Sequence, residues 1–358
     1  MSAALAERRS GALVGLAVGD AAGWPARQHR SLLLPAWTRR IRRELDTFAE
    51  DAEVTTLPVP FALNQPTAPL HLGPADDTDW VVWTAQWLLA LGPHPTRDCV
   101  HQQWRAAARE GTLPRGRISV ATAADALVRG REIPLTGQHN PHHFDDAAAV
   151  RAVTFGVYAS SPERAAELAG WDAEVTNAED GVHAAKAVAA LVAACVGGTE
   201  LDAALDLAQA YLPELSLIGR NVGRAREIGR TASGPMDAAA LLDDHLDVVY
   251  SYGVAAAETV AVACAMAATA LRTGVGPAEA IAAAACLPRL ADSAPALTGA
   301  VIGAARGLAA LPAAWVDRCR TSSGCCRPDL AGIDLIDLAA RLPTVVEPAT
   351  PSSGEFAS

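Results

Sequence analysis

From about residue 145 onward the chain reads as apolar segments broken by Pro, Gly and small polar residues, which is how successive helices are punctuated. Ser161-Pro162-Glu163 supplies a cap, a proline for the first turn and an acid beside it, so a helix follows through Arg164 to Ala169. His183 to Val196 is rich in Ala and Val, and Gly197-Gly198 should end it. Thr199 is placed to cap Glu200 to Leu212. Glu258 to Arg272 is almost wholly apolar after its first turn, which puts it at the centre of a bundle. Helices are also expected from Pro277 to about Leu287, Pro295 to Leu311 and Ile333 to Leu342. Residues 44–75, proline-rich around Val54 to Phe61, read as an ordered excursion on the bundle surface. Residues 132–147 read as a long loop, and long loops in compact domains are often functional. One domain is expected over 1–345, with a disordered tail over 346–358, since Pro348 to Ser358 is small and polar.

Composition strengthens the helical reading. Of the 358 residues 51% are hydrophobic, with a bias to Ala, Leu and Val, and only 5% are aromatic. Ala loses no side-chain entropy in a helix, whereas sheets draw on β-branched and aromatic residues. The fold class is therefore all-α. A formal net charge of −11 argues against a nucleic-acid partner, which needs clustered Lys and Arg, and Arg39, Arg40, Arg42 and Arg43 are too short a run. The seven cysteines are an odd number. Cys325-Cys326 is not a zinc spacing, and reduced thiols point to a cytoplasmic protein. Gly11 to Val18 is too short for a signal peptide, and no window approaches a membrane span, so no membrane partner is expected.

Three stretches carry candidate chemistry. Pro74-Ala75-Asp76-Asp77-Thr78-Asp79-Trp80 crowds three mutually repelling carboxylates before an apolar helix to Leu91. Such a cluster caps a helix, faces water or binds a cation. Gly11, Gly15, Gly19 and Gly23 recur every four residues, a smooth stripe where another helix can approach. Asp292-Ser293 precedes Pro295 and a Gly/Ala-rich helix, and alone reads as a cap.

In this order the stretches resemble the ADP-ribosylglycohydrolase family. The opening run is similar to its "GALLGLAVGDALG" helix, Asp76-Asp77-Thr78 to its "TDDT" metal motif, and Ala285 to Ser293 to its "ANxGGDxDT" segment. Glu258-Thr259-Val260 and Gly332 to Leu342 resemble later helices of the family, so the likeness runs from about residue 9 to 344. It implies a compact orthogonal helical bundle with two magnesium or manganese ions, hydrolysing the bond from ribose to a nitrogen or oxygen. Hard cations take carboxylate and hydroxyl oxygens, and can orient ribose hydroxyls and an attacking water.

Several of the family's ligand positions differ. Its Glu after "GDALG" aligns with Arg27, the Thr of "TDDT" with Ala75, and the first Asp of "DxDT" with Leu290. Pro288 and Arg289 stand for two glycines, and Asp145-Asp146-Ala147 for the Gly-Asn-Gly loop that faces a diphosphate. Asn177 stands where the family usually has a His. The remaining metal donors are Asp76, Asp77, Asp292 and Ser293, which suits one magnesium at most, or none. The guanidinium of Arg27 or Arg289 is expected to replace the missing ion's charge.

The catalytic candidates are Asp76, Asp77 and Asp292; the substrate-binding candidates are Asp145, Asp146, Phe144, Arg151, Asn140 and Arg27. His139, His142 and His143 fit cleft-lining loop residues better than a zinc site. The expected activity is a divergent hydrolase of an N-ribosyl bond in an ADP-ribosylated, NAD-derived or nucleoside-like small molecule. The alternatives are a non-catalytic binder of ADP-ribose or a nucleoside that kept the fold, and a one-metal enzyme that removes ADP-ribose from proteins.

Overall fold

The structure is a computed structural model, and it describes residues 2–24, 70, 73–159, 161–249, 253–287 and 289–343. Among them there is no strand, only isolated bridges between Asp145 and Ala255 and between Thr321 and Asp334. The expected excursion over 44–75 and the tail over 346–358 lie almost wholly outside the described residues.

The first helix, α1, spans Ala3–Trp24, and α2 spans Asp76–Leu91. Then come α3 (Arg97–Glu110), α4 (Ile118–Val128), the single turn α5 (Leu135–Gln138) and α6 (Ala147–Tyr158). The middle of the chain forms α7 (Pro162–Thr176), α8 (Asp180–Gly197), α9 (Leu201–Gln209), α10 (Leu217–Thr231) and α11 (Pro235–His245). The remainder forms α12 (Ala256–Thr273), α13 (Pro277–Ala285), α14 (Ala294–Arg306), α15 (Ala313–Cys319) and α16 (Leu335–Arg341).

Local chemistry accounts for several boundaries. Ser161 Oγ accepts the Arg164 N–H at 3.2 Å, so α7 starts where its Ser-Pro signal lies, but it runs on to Thr176. Gly198, at φ 98°, ends α8 in a left-handed conformation that suits glycine. Asp334 caps α16 through the N–H groups of Ile336 and Asp337. Thr199 does not cap α9; Glu200 holds that position without a side-chain bond. The expected loop over 132–147 includes the turn α5.

One contact organises the site. Helices α1 and α14 meet along the glycine stripe so closely that no side chain fits between them. A Cβ on Gly11, Gly15, Gly19 or Gly23 would lie 2.0–2.3 Å from the backbone oxygen of Gly303, Gly299, Pro295 or Ala291 respectively. Gly299 and Gly303 return the constraint against Gly15 and Gly11. The stripe is thus a packing surface, and it fixes Asp20, next to Gly19 on α1, relative to the start of α14, where Gly19 faces Pro295 and Gly23 faces Ala291 and Asp292.

Two further features bear on the expectations. Helix α8, 18 residues with mean hydropathy 1.4, is long and apolar enough to cross a membrane, contrary to the sequence reading. Yet 72% of it is buried inside the fold, as in a core helix. Around α2, Trp80, Trp83 and Trp87 pack with Trp104 of α3, with Trp83 and Trp104 edge-on at 5.0 Å. This aromatic block holds the start of α2 rigid beneath its acidic turn.

A guanidinium among four carboxylates

The acidic turn is capped from another helix. Asp20 of α1 accepts hydrogen bonds through one oxygen, Oδ2, from the Ala75 N–H (2.8 Å), the Thr78 N–H (3.0 Å) and the Thr78 hydroxyl (2.7 Å). Asp76, Asp77 and Asp79 are therefore released from capping their own helix, and they divide. Asp79 turns to the chain near residue 325 and accepts the N–H groups of Gly324 (3.1 Å) and Cys326 (2.9 Å). Asp76 and Asp77 turn inward.

They meet Arg117. This residue precedes α4, and its guanidinium is 6% exposed. Its Nε lies 3.0 Å from Asp76 Oδ2. Its Nη2 donates to Asp77 Oδ1 and, at 2.9 Å, to Ser293 Oγ. Its Nη1 donates to Asp146 Oδ1 at 3.1 Å and lies 3.7 Å from Asp292 Oδ2. Four carboxylates from three distant stretches converge on one cation. Asp146 is oriented from behind by the Thr259 hydroxyl at 2.8 Å, and its N–H donates to Val254 O at 2.9 Å. The motif residues Glu258 and Thr259 thus act differently: Thr259 supports the cluster, while Glu258 pairs with Arg289 at 3.0 Å.

The expectation that Asp76, Asp77, Asp292 and Ser293 share one place agrees with this geometry, and Asp146 joins them. Of the two expected sources of compensating charge only Arg289 lies among the described residues, since Arg27 falls outside them. The contacts of Arg289 that the structure describes, to Glu258 and Val249 O, do not reach the four carboxylates. The cation is Arg117, which sequence reasoning passed over because Pro114-Arg115-Gly116-Arg117 matches no site pattern.

Other assigned residues take structural roles. Arg151 is fully buried, paired with Asp172 at 2.8 Å and donating to Thr176 Oγ at 3.0 Å, with its guanidinium carbon 5.0 Å from the Trp104 ring centroid. Trp104 Nε1 donates to the other oxygen of Asp172. The Arg151 Nη1 has no hydrogen-bond partner, but the side chain is sealed from solvent and does not open on a cleft. Asn140 is spent on Ser119 O, Thr176 O and the His142 N–H. The Asp145 carboxylate is buried against the Asn177 amide (2.9 Å) and the Ala147 N–H (3.2 Å), so Asn177 stabilises the turn before α6. Phe144 is half-buried and stacks edge-on against His143 at 5.3 Å. His139 bonds to Arg131, and His143 to Asn140 O and, more distantly, Glu179, so the histidines do not gather. Asp292 does not cap α14; Ser293 holds that position.

Burial dominates the electrostatics. It pushes Asp77 well above the usual carboxylate range, against the opposing pull of Arg117, with Asp76, Asp20 and Asp292 adding to the rise. Asp76 is raised for the same first reason, and Asp146 is pushed up to about 7. Asp20 is buried with its second oxygen unpartnered and rises to about 8. Burial alone would lower Arg117, but the four carboxylates hold it well above its ordinary value. Its charge is fixed at every working pH.

The magnesium that the family resemblance implies does not fit this arrangement. A hard cation needs oxygen ligands at about 2.0–2.6 Å on all sides. Here those oxygens point at a guanidinium that stands within 3.7 Å of every carboxylate. An ion at the same centre would collide with it. A different donor set lies behind the cluster: Asp79, Cys325 and Cys326 bring ligand atoms within 4.8 Å of one another. None of the seven cysteines is in a disulfide. Beside them is a hollow of about 530 Å³ lined by Thr112, Leu113, Arg115, Cys325, Cys326 and Arg327, among others. None of the four clustered acids lines it. Of those four, Asp76 is 21% exposed and Asp292 8%, while Asp77 and Asp146 are sealed.

Comparison with known proteins agrees with the architecture. A solved chain described as an ADP-ribosylglycohydrolase-related protein complex superposes with a TM-score of 0.59 at 21% identity, covering 94% of this chain and 97% of its own. At that identity the likeness shows the fold. No curated protein matches the sequence. The ADP-ribosylglycohydrolase family profile matches residues 1–350, nearly the whole length, and the chain belongs to that family.

Proposed function

We propose that the protein hydrolyses an N-ribosyl bond of a small ribosylated molecule, with Asp76 as the group that activates water. The observation that carries this reading is the graded exposure around Arg117. Asp77 and Asp146 form a sealed floor and Asp292 is nearly as buried, while Asp76 keeps a face toward solvent. An open carboxylate beside a closed one can take a proton from water without leaving its position. The water oxygen bonds to ribose C1, the C1–N bond breaks, and the proton lost by water reaches the departing nitrogen through Asp76 and solvent. Asp292 accepts hydrogen bonds from ribose hydroxyls. Burial raises Asp76 above an ordinary carboxylate, which moves its basicity toward neutral pH.

The test is release of free ribose or ADP-ribose from a panel of N-ribosyl and ADP-ribosyl compounds in the presence of EDTA. Asp76→Asn should lower the rate by about 10²–10⁴ while leaving binding within a few fold. A second reading rests on Arg117 itself. A cluster whose charge is already matched by a guanidinium also suits a protein that binds a ribosyl group without cleaving it. Saturable binding with no release from any compound would establish that reading and remove the first.

A further inference from the structure

We infer that Arg117 is a built-in cation standing where the family's divalent ion would stand, so that the acid cluster neither needs nor admits a metal. The inference concerns ion binding and holds whether or not the protein cleaves its ligand.

Three observations support it. First, the contacts are those of a central cation. Asp76, Asp77, Asp146 and Asp292 and the Ser293 hydroxyl surround one planar group from several sides. A guanidinium offers five donors in a rigid fork, and it cannot lose its proton to relieve burial. Second, the backbone is built to deliver it. Arg115 N–H donates to Cys326 O at 3.2 Å, and Gly116 turns the chain at φ 117°, a conformation that L side chains rarely adopt. Arg117 follows at once and starts α4. The side chain enters from a pinned turn, not from a loose surface loop. Third, the acceptors are held toward it independently. Thr259 fixes Asp146, Asp20 fixes the turn carrying Asp76 and Asp77, and the glycine contact of α1 with α14 fixes Asp292 and Ser293.

Electrostatics then excludes the ion. A divalent cation among these oxygens would sit within a few ångströms of a permanent positive charge in a largely closed site, where repulsion is poorly screened. Admitting it requires expelling the guanidinium and exposing its pinned turn. The substitution explains how the chain tolerates Leu290 and Ala75 at positions the family uses for ligands. With one fixed charge already present, fewer oxygen donors are needed.

Manganese binding tests this directly. After EDTA treatment, the wild-type protein is titrated with Mn2+ alone, followed by the electron paramagnetic resonance signal of free Mn2+ and by thermal melting. The expected wild-type result is an undiminished free signal and a melting temperature that neither Mn2+ nor EDTA moves. Arg117→Met keeps the apolar stem but takes the guanidinium's charge away from the four carboxylates. It should bind Mn2+ at least about a hundredfold more tightly than wild type, and melt higher when Mn2+ is present. Arg117→Lys keeps a charge and should gain nothing. If Arg117→Met folds only with Mn2+, that outcome supports the inference. If it does not fold at all, Arg117→Gln, which retains a donor for Asp77, takes its place. Stoichiometric Mn2+ binding by the wild type that persists in the Cys325→Ser, Cys326→Ser double variant, which disables the other donor set, would overturn the inference, and so would a folded neutral variant with no gain.

Discussion

The glycine contact between α1 and α14 makes a quantitative demand. Placing a methyl group at Gly15 puts it 2.2 Å from Gly299 O, and at Gly299 it lies 2.0 Å from Gly15 O. Ordinary contact begins near 3.4 Å, so the helices must separate by more than an ångström. The obstructing atoms are backbone on both sides, and no rotamer change relieves them. Overpacking a tight core costs about 1–3 kcal/mol and sometimes more, and rigid backbone partners place this case at the upper end. Ala favours a helix over Gly by about 1 kcal/mol, which offsets part of the strain. Net destabilisation of about 2–3 kcal/mol is therefore expected for Gly15→Ala or Gly299→Ala. Gly223 is the internal control. It lies inside α10, exposed, with nothing within 4 Å of an added Cβ, so Gly223→Ala should stabilise by about 0.5–1 kcal/mol. Urea unfolding followed by circular dichroism separates the signs. Equal stability in all three variants would refute the close-approach argument, and with it the explanation of how Asp20 and Asp292 are held in register.

Two other outcomes follow from buried charge. Asp20, with an ordinary value of 3.8, is raised to about 8 in the fold, and Asp146 to about 7. Between those limits the folded state holds protons that the unfolded chain has released, so stability should fall as pH rises from about 4 toward 8. Asp20→Asn should flatten that fall in urea titrations taken across the range; an unchanged slope would remove Asp20 as a contributor. Arg151→Met should destabilise by about 3–5 kcal/mol, because it strips the buried Asp172 of its cation. Were Arg151 a ligand contact instead, the same substitution would weaken binding and leave unfolding almost unchanged.

The parts of the fold legible in the sequence were those governed by local chemistry. Ser161-Pro162 marked the start of α7, Gly197-Gly198 the end of α8, and the four-residue glycine period announced a close helix contact. Asp76, Asp77, Asp292 and Ser293 were also legible as one centre, because the family pattern supplies their order. What the sequence hid depends on pairs far apart in the chain. Asp20 caps a helix more than fifty residues away, an interaction that no window around either partner reveals. Asp145, which aligns within the diphosphate-facing loop, and Arg151, six residues on, read as substrate-binding candidates, yet Asp145 is held by Asn177 and Arg151 by Asp172. Local charge cannot show whether a polar group faces a ligand or another polar group.

Arg117 shows the same limit with the opposite result. The altered ligand positions imply that a guanidinium takes over the charge of a missing ion, with Arg27 and Arg289 as the candidates. That deduction concerns charge alone and so does not fix the donor. Arg289 stands at an altered family position and pairs with Glu258, whereas the arginine found among the acids lies in a turn between α3 and α4. The need for compensation was thus set by composition at the cluster, while its source was set by which turn the fold brings alongside. A reader of other divergent members could use that separation. Where hard-cation ligands are missing but the acidic turn remains, every arginine next to a glycine turn is a candidate for the centre, regardless of its alignment. Absence of any such arginine, together with a lost ligand set, would instead call for the acids themselves to be replaced by neutral residues.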